Sequence, residues 1–251
     1  MRAQVQLLEY LVQMLDPDQQ VFIMGAHTLT IDIEDIYFLM GLSRRGSYVS
    51  LSGSKTGGLK MSEYCNQYCV PEVERQKGKV AIWGVTDLNL CTILFTIAWM
   101  AGSAAPHMAL QSYFQYAIEC TEPQVFNWVD AVLRSLKKQL TKCRRGDLKQ
   151  FGYGSLLVSF FCERVPVFRL QAEWHFPGPR DPRMLQWCQL MARHVAGPIV
   201  RYDDTFFDWL QGQVLMVEDY AYAGLDFRGD PDLALPEDAQ WGDLGKKYTN
   251  F

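Results

Sequence analysis

Cys65-x-x-x-Cys69 is the tightest pairing of metal-type ligands in the chain, and on a helix that spacing would set both thiols on one face. A closed zinc site needs four ligands, usually from two such pairs. No second pair exists, and His175, Cys188 and His194 would join only by accident of folding, so inert thiols are the expectation. His27 beside a turn and His107 after Pro106 are expected at the surface or in local hydrogen bonds. Nucleophilic hydrolysis asks for a Gly-x-Ser-x-Gly elbow. Gly152-Tyr153-Gly154-Ser155 lacks the second flanking glycine and reads better as a helix start with Ser155 as cap. Gly53-Ser54-Lys55-Thr56 lacks the earlier glycine that opens a phosphate-binding loop. Asp32, Glu34 and Asp35 bring three carboxylates together, but at the spacing of a helix N-terminus. No strand-borne acid pairs with them to hold two divalent ions. No catalytic residue, cofactor site or metal site is therefore expected.

Basic residues offer a different chemistry. Arg134, Lys137, Lys138, Lys142, Arg144, Arg145 and Lys149 place seven positive charges in sixteen residues, and Lys138, Lys142 and Arg145 fall on one side of a helix. Such a face would meet phosphates without sequence preference and with a steep salt dependence. Interleaved aromatics are missing and the whole chain carries a net charge of −4, so a solvated helix back is the simpler expectation. Arg44 and Arg45, leading into the Gly/Ser-rich stretch up to Lys60, form a second candidate surface. Residues 1–202 hold 21 basic and 17 acidic side chains, whereas residues 203–251 hold 3 and 11. The acidic end is expected as a solvated tail that would also suit docking on the basic helix face in cis.

The elements that must position these residues read as mostly α. Leu7, Leu8, Leu11, Val12 and Leu15 predict an amphipathic helix over 3–15, stopped by Asp16-Pro17. Val21 to Met24 and Thr28 to Thr30 around Gly25 predict a small hairpin. Asp32 is placed as an N-cap with Asp35 three residues on, and Gly41 as the residue that ends the following helix. Residues 43–60 and 71–84 read as polar connections. Thr86-Asp87 opens a strongly apolar helix from Leu88 to Ala101, expected to be buried nearly all round because it has no polar face. Val125, Trp128, Val129, Val132, Leu133, Leu136 and Leu140 mark an amphipathic helix over 123–143, ended by Gly146, and another helix is predicted over 155–163. After the Pro177 to Pro182 boundary, helices are expected near 183–195 and 204–218, then an irregular acidic tail over 224–251. Trp187 and Trp209 fall in helical stretches, and Trp174, Phe176, Trp241 and Tyr248 near turns or in the tail; an exposed subset would mark a partner surface.

With 251 residues, 49% hydrophobic and 13% aromatic, the chain has ample apolar surface to bury, which excludes disorder for its bulk. Seven cysteines are an odd number spread through helical stretches, unlike a disulfide framework. The first sixteen residues lack a cleavage site and carry Glu9, and Leu90–Ala105 is short for a bilayer span. A reducing compartment, nucleus before cytosol, is the expectation, with no membrane association.

The segment Phe22 to Leu42, with Asp32-Ile33-Glu34-Asp35-Ile36 and Leu39-Met40-Gly41-Leu42, resembles the strand pair and "T-x-x-L-E-D-V-x-x-L-x-G-L" helix that open the plant mobile domain. Phe126-Asn127-Trp128-Val129 to Leu140 and Lys149 to Leu157 are similar to later helical segments of that family. The tryptophan-rich lead-in of the family is missing here, and Asp32 stands where threonine is common. The resemblance implies a helical module over residues 1–180 and leaves the chain after about Arg180 unplaced; the further helices read there are expected over 181–223, packed on that module. It also implies a transposon-derived protein of the nucleus, acting in gene silencing or meristem maintenance with a phosphatase-like protein partner. Members of that family also carry the label aminotransferase-like. Pyridoxal-phosphate chemistry needs a Schiff-base lysine in a Gly/Ser-rich strand-to-loop setting. Lys55, Lys60, Lys77 and Lys79 lie in polar loops and Lys137, Lys138 and Lys142 on a helix face, so that label finds no support in the residues. A non-enzymatic protein-interaction module is the leading expectation, and a nucleic-acid-binding or transposase-associated domain using residues 134–149 is the alternative.

Overall fold

The computed structural model describes residues 5–164, apart from 26, 52–58, 77, 104, 121–125 and 148–150, together with Arg183, Met184 and Trp187. The Trp174, Phe176, Trp209, Trp241 and Tyr248 readings, the helix near 204–218 and the 224–251 tail lie outside the described residues, as does most of the helix near 183–195. Among the described residues the fold is mostly helical, with seven α-helices and two small three-stranded antiparallel sheets. They divide into two compact units, one made of residues up to Gly41 with those from Gly154 onward, the other running from Leu42 to Tyr153.

In the first unit, helix α1 (Val5–Gln13) buries Leu7 and Leu11. It stops two residues short of the expected end because Leu15–Asp16 is strand β1, paired with β2 (Val21–Met24) through Leu15 opposite Phe22. The Asp16 carboxylate accepts the backbone N–H groups of Asp18 and Gln19 at 2.9 and 3.0 Å, which turns the chain back on itself. Strand β3 (His27–Leu29) completes the sheet as the second arm of the expected hairpin. Asp32 caps α2 (Ile33–Met40): its Oδ1 accepts from the backbone N–H of Glu34 and of Asp35 at 2.9 and 3.1 Å, and the Asp35 carboxylate accepts the Asp32 N–H in return at 2.9 Å. Gly41, at φ 64°, ends the helix in the left-handed region where glycine carries no steric penalty. Helix α7 (Gly154–Arg164) is buried continuously from Leu156 to Glu163, and Phe160 meets Phe22 with ring centroids 6.0 Å apart.

The second unit contains more structure than its sequence announced. The polar stretch 71–84 forms β4 (Arg75–Gln76), β5 (Lys79–Ala81) and a 3-10 turn (Ile82–Gly84), and β5 also pairs with β6 (Met108–Leu110). Helices α3 (Met61–Tyr68) and α5 (Gln111–Glu119) were not foreseen, and their apolar contact is a Tyr64–Phe114 stack at 5.5 Å. Helix α6 (Trp128–Arg144) buries the apolar stripe from Trp128 to Leu140, and Tyr116, Phe126 and Trp128 form an edge-on aromatic cluster at its start.

Helix α4 (Leu88–Met100) is held at both ends. The Asp87 carboxylate accepts the Leu90 N–H at 2.9 Å. At the other end, carbonyl oxygens that would lack partners accept side-chain donors: Tyr153 Oη–H to Met100 at 2.8 Å, Ser135 Oγ–H to Ala101 at 3.3 Å, and Gln139 Nε2–H to Ala101 and Gly102 at 3.1 and 3.2 Å. Gln139 Oε1 also accepts the Gly152 N–H at 3.3 Å, so Gly152 lies against the Gly102 backbone where a Cβ would overlap the Gly102 carbonyl.

Candidate functional site

The expectation that α4 is buried nearly all round is wrong. Leu90, Leu94, Ile97, Ala98 and Met100 face the core, whereas Leu88, Phe95 and Trp99 are 80%, 41% and 47% exposed. The exposed positions 88, 92, 95 and 99 recur at intervals of four, three and four, which on a helix of 3.6 residues per turn is one continuous stripe. Thr92 and Thr96 share this side, and their hydroxyls do not face an approaching partner with an unmet bond. Thr92 Oγ1–H donates to the Leu88 carbonyl at 2.9 Å and Thr96 Oγ1–H to the Thr92 carbonyl at 2.9 Å. The helix carries no Asp, Glu, Lys or Arg anywhere along its length. The stripe of positions 88, 92, 95 and 99 is thus uncharged, largely apolar and satisfied in its hydrogen bonds, with the exposed Asn89 at its edge. The 3-10 turn lies beside it, with Cys91 Sγ against the Ile82 carbonyl at 3.5 Å and the Trp83 side chain also exposed.

A helix with apolar residues on both sides shows no periodicity, so its uniform hydrophobicity imitates complete burial. The signal that separates the sides is the placing of Asn89, Thr92 and Thr96, the polar residues of the helix, on the outward side.

The expected basic surface is divided by the structure. Lys138, Lys142 and Arg145 are exposed along the second half of α6, with Arg144 next to them, and Lys149 lies outside the described residues. Cations at this end of a helix also complement its negative pole, a stabilising role that needs no ligand. Arg134 is committed elsewhere. Its guanidinium pairs with the Asp130 carboxylate at 2.9 Å, donates to the Val49 carbonyl at 2.8 Å and lies 4.0 Å over the Tyr48 ring centroid. Arg44 and Arg45 lie in the segment this arginine anchors, which runs beside the start of α6: the Asn127 N–H donates to Ser47 O at 2.9 Å and the Val129 N–H to Ser43 O at 3.2 Å. Arg45 is exposed and Arg44 half-buried, and the Gly/Ser stretch after them falls mostly in 52–58, outside the described residues.

Cys65 is buried and Cys69 half-buried. Burial, with a further push from Cys65, raises the Cys69 thiol to about 11, so at neutral pH it is a protonated, weakly reactive thiol. Burial likewise raises Cys120 and Cys143, and raises Cys162 further still. Among the described residues no group of three His, Cys, Asp or Glu side chains converges as a metal site; His175, Cys188 and His194 lie outside them. No helix among them is long and apolar enough to cross a membrane.

The first unit holds a buried charge pair that the sequence did not single out. Arg183 grips the Glu163 carboxylate with both prongs, Nε to Oε1 and Nη2 to Oε2, each at 2.8 Å, and Trp187 Nε1–H donates to Oε1 at 2.7 Å. These side chains are 0% (Glu163), 2% (Arg183) and 4% (Trp187) exposed, so the trio is sealed in the interior and joins α7 to residues beyond it in the chain.

Residues 1–158 match the model of the family described as Domain of unknown function (DUF8566), which is more than half of the chain, and the protein belongs to that family. Comparison with curated proteins and with solved structures gives no match. The plant-mobile-domain resemblance is corrected by this match: residues 22–42 form a strand pair and a capped helix held by local hydrogen bonds, and that local arrangement does not set the family. The phosphatase-like partner and the silencing and meristem roles implied through the resemblance lose their basis with it. The exposed α4 face and α6 both fall within the matched span, and the Glu163–Arg183–Trp187 trio falls outside it.

Proposed function

We propose that this chain is a non-enzymatic protein-recognition module whose docking surface is the exposed apolar face of α4. The observation that carries the reading is the stripe of Leu88, Phe95 and Trp99, left in water on a helix whose opposite side is fully packed. About half of each aromatic side chain is in water, on the order of 100 Å² apiece, so covering the two releases about 5 kcal/mol before association costs. Association costs are of the same size, about 4–15 kcal/mol, which favours a reversible contact over a permanent one. The satisfied hydroxyls of Thr92 and Thr96 favour the same reading, since nothing on the stripe must be re-bonded when water leaves.

A photo-crosslinking residue, p-benzoyl-phenylalanine, placed at Phe95 and separately at Lys138 tests this in cells expressing the full chain. Adducts at position 95 that vanish in a Trp99→Asp background, with none at 138, are expected. No adduct at 95, or equal labelling at both positions, would overturn the proposal. A second reading, non-specific binding of phosphates by Lys138, Lys142 and Arg145, is favoured by their shared exposure on α6. It is weakened by the engagement of Arg134 within the fold. A salt series with duplex DNA separates the two, because phosphate contacts give a steep loss of affinity with salt and an apolar face gives none.

A further inference from the structure

The α4 stripe has a property that selects its occupant, and we infer that this occupant is a second copy of the same chain, bound face to face across a two-fold axis. The inference rests on α4 being a docking surface and goes on to name the partner. An antiparallel pair of α4 helices centred between Ile93 and Leu94 sets position 88 against 99, 92 against 95 and 91 against 96. Each large exposed residue then meets one of compatible size: Leu88 with the partner's Trp99, and Phe95 over the small Thr92 of the partner subunit. The alternation of four and three residues is the seam spacing along which two helices pack at a shallow angle. A two-fold contact requires one patch to complement itself, which a patch carrying charges of a single sign cannot do. This helix carries no charge, so its self-pairing brings no repulsion, whereas self-pairing of the exposed Lys138, Lys142 and Arg145 on α6 would.

The area sets the strength. Leu88, Phe95 and Trp99 from two copies offer about 800 Å² of buried surface, under the ~1,000 Å² below which specific interfaces become transient. A dimer in reversible exchange with monomer is the form this predicts.

Sedimentation equilibrium of the full 28.8 kDa chain over a hundredfold range of concentration is the test. The expected result is a mass that climbs from one chain toward two. In Leu88→Asp and in Trp99→Asp it remains at one chain, with circular dichroism unchanged because both side chains are on the surface. Two substitutions at separate positions keep the test usable if either impairs folding. A wild-type chain that stays monomeric throughout, or aspartate variants that dimerise like the parent, overturns the inference. The crosslinker at Phe95 keeps the two claims apart. An adduct of two chains supports the dimer. An adduct with a different protein, or one confined within a single chain, overturns the dimer, and only the former leaves α4 a docking surface. No adduct removes both.

Discussion

Arg183→Met removes the cation from a carboxylate that is wholly buried, and the geometry of the trio dictates the cost. Glu163 would keep the Trp187 N–H at 2.7 Å but lose both guanidinium bonds at 2.8 Å, leaving a charge without its counter-ion in a site sealed from solvent. Breaking a buried pair in this way costs about 3–5 kcal/mol, a large part of the ~5–15 kcal/mol that holds a domain together. Removing both charges is different. In Glu163→Met with Arg183→Met no ion of the pair is left in the interior, and the main penalty is the loss of the Trp187 N–H bond to the carboxylate, about 1–3 kcal/mol. Urea unfolding of the four proteins in the cycle therefore has a definite signature: the double variant is more stable than Arg183→Met alone, although it carries one more substitution. If Arg183→Met costs under ~1 kcal/mol, or the double variant loses the sum of the two single losses, the pair is not a sealed unit. The result also bears on the extent of the folded unit. The family match ends at residue 158, inside α7, while Glu163 ties that helix to Arg183 and Trp187.

Gly152→Ala places a Cβ within overlap of the Gly102 carbonyl, a backbone atom that cannot swing away, and is expected to lower the melting temperature by many degrees; a melting temperature within one degree of the parent would contradict the close approach. Alkaline pH should destabilise the fold. The Cys69 thiol is raised from 9.0 to about 11 and Tyr113 from 10.0 to about 12, with Cys162 and Tyr153 also raised, so the unfolded chain gives up these protons first. Stability is then intact below about pH 9 and falls as pH rises through 11; thermal unfolding that is flat or improves across that interval would refute the assignment. For the same reason Cys69 should resist iodoacetamide at pH 7 and react as pH approaches 11.

What the sequence made legible was local. Asp32, Asp35 and Gly41 carry their own signals, because a cap needs a short side-chain acceptor at its start and a left-handed residue at its end, and both are matters of residue type. The α6 stripe was legible because six or seven apolar residues on one side contrast with a charged back. The second sheet was not. Strands β4, β5 and β6 are two or three residues long, and β5 pairs with a segment some thirty residues onward, so no window of sequence holds the pattern. The Glu163–Arg183 pair fails in the same way: twenty residues separate the partners, and nothing in either residue marks it as interior.

The α4 face was hidden for a different reason, which is also why it matters. Periodicity methods read contrast, and a surface built to recognise another apolar surface removes the contrast by making its water side resemble its core side. Hydrophobicity alone therefore cannot distinguish a helix sealed inside one chain from a helix that completes its burial against another. The distinction lies in what surrounds the helix. Here the polar side chains of Ser135, Gln139 and Tyr153 are all spent on the carbonyls at one end of α4, and Asp87 on the amides at the other, while Leu88, Phe95 and Trp99 stay exposed among the described residues of the unit. The fold fixes the ends of this helix and leaves its face to water, an arrangement that costs solvation free energy in the isolated chain and that a matching face, as proposed, would recover.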